Sequence, residues 1–203
     1  ITGQQDGRNF CFHSKLTPVG ATHGTEPYQS LLPLEQAVQV WLDQPIGELA
    51  YPISPEGKLD AALYGSQVAA LFNQVQLAET GADFSCTSLG NDPVGLASPV
   101  TMRGVTAAYL FANTLVVLEV TEEVLRQTLE RCAAYFTLVD GQPQISEEFL
   151  LPKVEHYNYD FYAGLAYTFD LRRPVGSRVV RLTKLDGSPL ENGKFRLCTS
   201  NYR

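Results

Sequence analysis

Apolar residues recur at helical spacing in three stretches of the chain. In PLEQAVQVWLDQ, Leu34, Val38 and Trp41 fall on one face, and Pro33 suits a first helical turn. Ser66 is a residue type that caps helices. It precedes a second pattern in which Val68, Leu71, Phe72 and Val75 mark a buried stripe and Gly81 supplies the stop. A third helix is predicted from Thr121. Glu122 and Glu123 lie near its positive end, and Leu125, Leu129, Cys132 and Phe136 line one face.

Between and after these patterns the chain reads as strand and loop. ADFSCTSL (82–89) is a buried strand and NTLVVLEV (113–120) a β-branched one. GLAYTFDL, SRVVRLTKL and KFRLCTSNY follow as strands, with a turn at Asp186-Gly187. PIGELAYPISPEG breaks the first helix as a linker, and GNDPVGLASP is a long loop. Residues 1–30 alternate weakly in GRNFCFHSKLTPV, become polar and turn-rich in GATHGTEPYQS, and have no core of their own. The division predicted is a tail or linker over 1–30, a linker helix and loop over 31–58, and one main domain over 59–203. Helices and strands are partly segregated, so the expected class is α+β and not a doubly wound parallel sheet.

One stretch is unusually aromatic. HYNYDFYAGLAYTFD (156–170) carries Tyr157, Tyr159, Phe161, Tyr162, Tyr167 and Phe169. Leu165, Tyr167 and Phe169 alternate with Ala166, Thr168 and Asp170, which predicts one face of a strand, with most of these rings in the core. That reasoning does not bury Phe111, just before a strand, or Tyr202, just after one. Rings at strand ends beside asparagines are candidate pocket walls, because a flat ligand gains on the order of 1–3 kcal/mol per stacked face.

Composition removes several functions. The 203 residues carry a net charge of −7 with a pI near 4.9, a balance that argues against a groove for a nucleic-acid polymer but not against one small anionic ligand. No run of about 20 apolar residues predicts a membrane-spanning helix. The chain opens on Ile1, and its one methionine is Met102, so a mature form or a piece of a longer protein is expected. Cys11, Cys86, Cys132 and Cys198 have no metal-ligand spacing and are expected as buried thiols.

Catalytic patterns are missing as well. His13, His23 and His156 are far apart and form no H-x-H, H-E-x-x-H or G-D-x-x-D motif. There is no G-x-S-x-G elbow and no glycine-rich phosphate loop. The sequence therefore predicts no catalytic residue, no metal site and no cofactor within this chain.

VTMRGVTAAYLFANTLVVLEVTEEVLRQTLERCAAYF, HYNYDFYAGLAYTFDLRRPVGSRVVRL and CTSNYR, in this order, resemble the C-terminal domain of the 5′-nucleotidase family. WLDQPIG and GADFSCTSLGNDPVG add to the likeness, which covers about residues 33–203. The branch most similar is that of the bifunctional 2′,3′-cyclic-nucleotide 2′-phosphodiesterase/3′-nucleotidases. The resemblance implies a four-layer α/β/β/α domain that recognises a nucleoside or nucleotide, sandwiching the base between two rings. Phe111 in YLFANT matches the first ring and Tyr202 in SNYR the second. Asn113 matches a polar contact to the sugar, and Gly164 is a place for close backbone approach to the ligand.

The resemblance also implies a metallophosphoesterase domain in cis, with a divalent metal pair, of which residues 1–20 would be the tail. This fragment alone is then expected to be inactive, and the chain to continue past Arg203. An exported parent is implied, extracellular, periplasmic or attached to the cell wall. The 5′ branch carries an arginine after the strand matching 82–89. SLGNDPVGL has none, which favours the cyclic/3′ branch. Two rivals stand beside this reading: a 5′-nucleotidase or nucleotide-sugar hydrolase, and a non-catalytic surface binding module of the same fold.

Overall fold

A computed structural model of the chain describes residues 2–6, 9–16, 25–191 and 193–202. It divides into two units, Ile1–Leu42 and Asp43–Arg203. The first unit holds an antiparallel hairpin, β1 (Thr2–Asp6) and β2 (Asn9–His13), and the helix α1 (Thr25–Leu42). Thr25–Ser30 are thus helical where the sequence suggests turns, and Pro33 lies inside the helix instead of in its first turn. GATHG, with His23, lies outside the described residues, as do the side chains of His13 and Cys11. The apolar positions Leu34, Val38 and Trp41 are exposed.

The second unit runs β3 (Pro45–Gly47), α2 (Lys58–Tyr64), α3 (Gln67–Thr80), β4 (Phe84–Ser88), β5 (Val100–Thr101), α4 (Met102–Ala108) and β6 (Leu115–Val120). It continues through α5 (Glu122–Ala133), β7 (Phe136–Val139), β8 (Gln142–Ile145), β9 (Asp160–Ala163), β10 (Leu165–Phe169), β11 (Val179–Lys184) and β12 (Phe195–Ser200). The stretch 45–57, expected as linker, contains β3, and α2 follows it directly.

The frame is a four-stranded sheet in the order β6-β12-β4-β9. β12 and β4 are parallel, while β6 and β9 run antiparallel to their neighbours. α3 covers one face. Its start is held by the Ser66 hydroxyl, which accepts from the Ala69 amide at 3.4 Å, and Gly81 ends it in the left-handed conformation. The face it buries matches the predicted stripe only in part: Val68 is buried and Leu71 and Phe72 are half-buried, but Val75 is 51% exposed, and Ala69, Asn73 and Gln76 are buried instead. The strand beneath presents a polar group there. Ser85 Oγ lies 2.8 Å from Asn73 Oδ1 and 2.7 Å from Gln76 Oε1, and Asn73 Nδ2 donates to the Phe161 carbonyl at 2.9 Å. Burial of these polar groups is tolerated because they satisfy one another.

On the other face, Phe84, Cys86, Val120 and Leu197 join Leu165, Val179 and Leu182 from the β10–β11 ladder, and Leu125 and Leu129 from α5, in one core. Tyr167 and Phe169 pack against it, so the predicted strand face is realised. α5 starts at Thr121, whose hydroxyl accepts from the Val124 amide, and ends at Ala133. Phe136 therefore belongs to β7 and not to the helix. Arg178, buried, closes that helix end: Nη1 donates to the Ala133 carbonyl at 2.8 Å and the Phe136 carbonyl at 2.6 Å. α3, the sheet, the ladder and α5 give the expected α/β/β/α order. Cys86, Cys132 and Cys198 are buried thiols outside any disulfide.

Candidate functional site

Because β12 and β4 are parallel neighbours, their carboxyl ends open onto one rim of the sheet, a placement that favours ligand binding in α/β sheets. The antiparallel strands β6 and β9 begin at that same rim, since Leu115 pairs with Ser200 and Asp160 with Ser88. The loop before β6 and the residues after β12 therefore meet. The Thr114 amide donates to Asn201 Oδ1 at 3.0 Å, and the Asn201 amide donates to the Thr114 carbonyl at 2.9 Å. Tyr202 follows this clasp directly, and Phe111 lies just before it.

Both rings face outward. Phe111 is 69% exposed and Tyr202 65%, far more than rings committed to a core. Asn113 shapes the loop between them: its amide donates to the Phe111 carbonyl at 2.8 Å, making a tight turn that carries the ring away from the strand.

Gly164 is not with them. It sits at the other end of the sheet, where β9 bends into β10, with φ +86°. A Cβ there would come within 2.6 Å of the Asp83 carbonyl oxygen and 3.0 Å of the Phe84 ring. Glycine is required because the bend passes over the start of β4 at backbone distance. The structure brings Phe111, Asn113 and Tyr202 to one rim and separates Gly164 from them by the length of the strands.

A polar loop borders the rim. Asn91, after β4, donates through Nδ2 to the Val154 carbonyl at 2.9 Å. Lys153 Nζ donates to the Tyr157 hydroxyl at 3.0 Å and lies over that ring at 5.2 Å from its centre. The pKa of Lys153 is raised chiefly by this bond, with Glu155 and Tyr202 adding to it. Behind the loop, Tyr135 and His156 share a hydrogen bond at 2.7 Å. Burial pushes the Tyr135 hydroxyl up to about 12, while burial and then Lys58 push the His156 imidazole down. The cavity beside them is about 20 Å³, room for one water and not for a substrate.

Sequence reasoning missed the Thr114–Asn201 clasp and Lys153. The one trace of the clasp is an asparagine at the strand end next to each ring. Nothing in the spacing links residue 153 to residue 202.

The model of the family described as 5′-nucleotidase, C-terminal domain, matches residues 48–203. The chain belongs to this family. A 5′-nucleotidase C-terminal domain is accordingly the fold seen in residues 43–203. Among relatives, the 2′,3′-cyclic-nucleotide 2′-phosphodiesterase/3′-nucleotidase of Haemophilus influenzae is 27% identical, over 85% of this chain and 31% of that protein. A Staphylococcus aureus structure assigned provisionally as a 5′-nucleotidase, in complex with α-ketoglutarate, superposes with a TM-score of 0.77 at 33% identity. It covers 85% of this chain and 34% of that one. The Haemophilus influenzae NAD nucleotidase, at 16% identity and TM-score 0.63 over 89% of this chain and 32% of that one, shares the fold. The chain spans about a third of the length of the relatives it matches.

The resemblance assigns the divalent metal pair to a domain in cis. Among the described residues, no three His, Cys, Asp or Glu side chains gather to hold an ion. No helix among them is long and apolar enough to cross a membrane.

Proposed function

We propose that the 5′-nucleotidase C-terminal domain of this chain recognises a nucleoside or nucleotide, its base stacked between Phe111 and Tyr202. One observation carries the reading: two largely exposed rings stand at a single sheet rim, held there by the reciprocal Thr114–Asn201 hydrogen bonds. Asn113 contacts the sugar, and Lys153, held on Tyr157 in the loop that borders the rim, supplies a cation. Gly164 is left to the fold by its distance from the rim.

The parent protein is, in this proposal, an exported hydrolase of 2′,3′-cyclic nucleotides and 3′-nucleotides, located outside the cytoplasm. The Haemophilus influenzae relative bears that activity in its name. The absence of arginine in SLGNDPVGL points the same way. Phosphoester cleavage itself is assigned to a metal-bearing domain in cis, and this chain supplies the orientation of the substrate. Product analysis of the full-length parent on 2′,3′-cyclic AMP, 3′-AMP and 5′-AMP tests the assignment. Turnover of the first two supports it, turnover of 5′-AMP alone moves the parent to the 5′ branch, and no turnover of any favours a binding module.

A further inference from the structure

The aromatic stretch 156–170 is only partly absorbed by the core and the rim. A separate cavity of about 390 Å³ lies beside β9, bounded by α2 and β10. β9 is an edge strand of the sheet, so no further strand of this sheet covers its outer margin. Five rings line the space, and they touch in series. Phe161 meets Tyr159 at 5.0 Å between centres, Tyr159 meets Phe136 at 5.8 Å, Phe136 meets Phe169 at 6.4 Å, and Phe169 meets Tyr167 at 5.3 Å. Phe136 and Tyr159 are buried, whereas Phe161, Tyr167 and Phe169 are half-buried because they front the opening.

We infer that this cavity is a second binding site, and that it takes one uncharged aromatic molecule of one or two fused rings. Size permits it. An enclosed apolar cavity of roughly 150 Å³ admits benzene; this space is more than twice as large, but it is a cleft open to solvent and lined by polar as well as apolar surface. Chemistry selects the class. No lining side chain carries a formal charge, so nothing there would hold a phosphate or carboxylate. Ring edges and faces are on offer instead, and their mutual contacts hold the walls in place before a ligand arrives. Uncharged polar groups share the lining with the rings: the Tyr159 hydroxyl donates to the Ala62 carbonyl at 3.0 Å and keeps lone pairs to accept with, Tyr167 brings a second hydroxyl, and Thr168 is exposed at the mouth. A ring bearing one N–H or O–H, such as indole or phenol, suits that inventory.

This site is independent of the proposed base-binding rim. Phe111 precedes β6, the opposite edge of the sheet, and neither it nor Tyr202 lines the cavity. Two strands, β12 and β4, stand between the edges.

Ligand-observed NMR on this chain with indole, phenol and phenyl phosphate tests the inference, with indole-dependent thermal shifts as a second readout. Leu63→Trp fills the cavity from α2, and Thr168→Trp blocks its mouth from an exposed position that does not disturb the core. The expected result is indole binding that drops about tenfold or more in either variant and is unchanged in Phe111→Ala. Phenyl phosphate should bind more weakly than phenol by a similar factor. Indole binding that survives both tryptophan variants, or that disappears in Phe111→Ala, overturns the inference. So does an absence of indole binding to the wild-type chain at millimolar concentration.

Discussion

Thr114 and Asn201 hold each other from both sides: each backbone amide donates to an oxygen of the other residue, at 3.0 and 2.9 Å. This clasp joins the loop that carries Phe111 to the strand end that carries Tyr202. Replacing Asn201 by alanine removes the side-chain half. The expected loss is about 0.5–1.5 kcal/mol of nucleoside affinity, up to roughly tenfold in Kd, with little change in the unfolding midpoint. Asn201→Asp keeps an oxygen acceptor and should recover most of the affinity. Titration by NMR decides between a clasp that positions the rings and one that is incidental.

Gly164 calls for the opposite outcome. With φ at +86° and the Asp83 carbonyl 2.6 Å from any added Cβ, Gly164→Ala should destabilise the domain by about 1–3 kcal/mol or more. Nucleoside affinity, measured well below the midpoint, should stay as in the wild type. Lost affinity in a folded Gly164→Ala protein would return this glycine to the binding site.

Beneath α3, one hydroxyl faces two amide side chains. Ser85→Ala removes the one hydroxyl proton shared between the Asn73 and Gln76 oxygens and leaves at least one of them in a buried space without its donor, a loss expected to lie near 1–3 kcal/mol. Denaturant midpoints check it. A neutral result would mean that Asn73 and Gln76 find other partners.

His156 supplies a pH dependence. Burial first, and then Lys58, lower its pKa below the ordinary 6.5, so the neutral ring is the native form. The unfolded chain then binds a proton more readily than the native one. This contribution to stability is complete above the ordinary value and is lost as pH falls through the window below it. Thermal midpoints between about pH 7.5 and 5.5 should fall more in the wild type than in His156→Gln. Parallel curves would show that the Tyr135–His156 pair does not titrate with folding.

Much of the frame was legible because local pattern and tertiary role agree at those residues. Ser66, Gly81 and Thr121 cap or stop helices by their own side-chain or backbone chemistry, and Leu125, Leu129 and Cys132 fall on the buried face at plain helical spacing. The reading failed where a partner distant in sequence decides. Val75 looks like core until Ser85 draws Asn73 and Gln76 inward, and Phe136 continues the helical period until Arg178 closes the helix at Ala133. At the rim, resemblance pointed to Phe111 and Tyr202, and the fold leaves both rings exposed at strand ends. Gly164 is different: a glycine of positive φ is legible as a close approach, but whether it approaches a ligand or another strand is fixed only by the fold.

The central claim is that Phe111 and Tyr202 together hold a base. Its most direct test is the binding of adenosine to this chain by ligand-observed NMR, with ribose as control and with Phe111→Ala and Tyr202→Ala in parallel. Two stacked faces at roughly 1–3 kcal/mol each, less the cost of association, predict a Kd of about a millimolar or weaker. The account predicts adenosine binding that is lost in each variant, and no binding of ribose. Adenosine that binds equally well without either ring contradicts it.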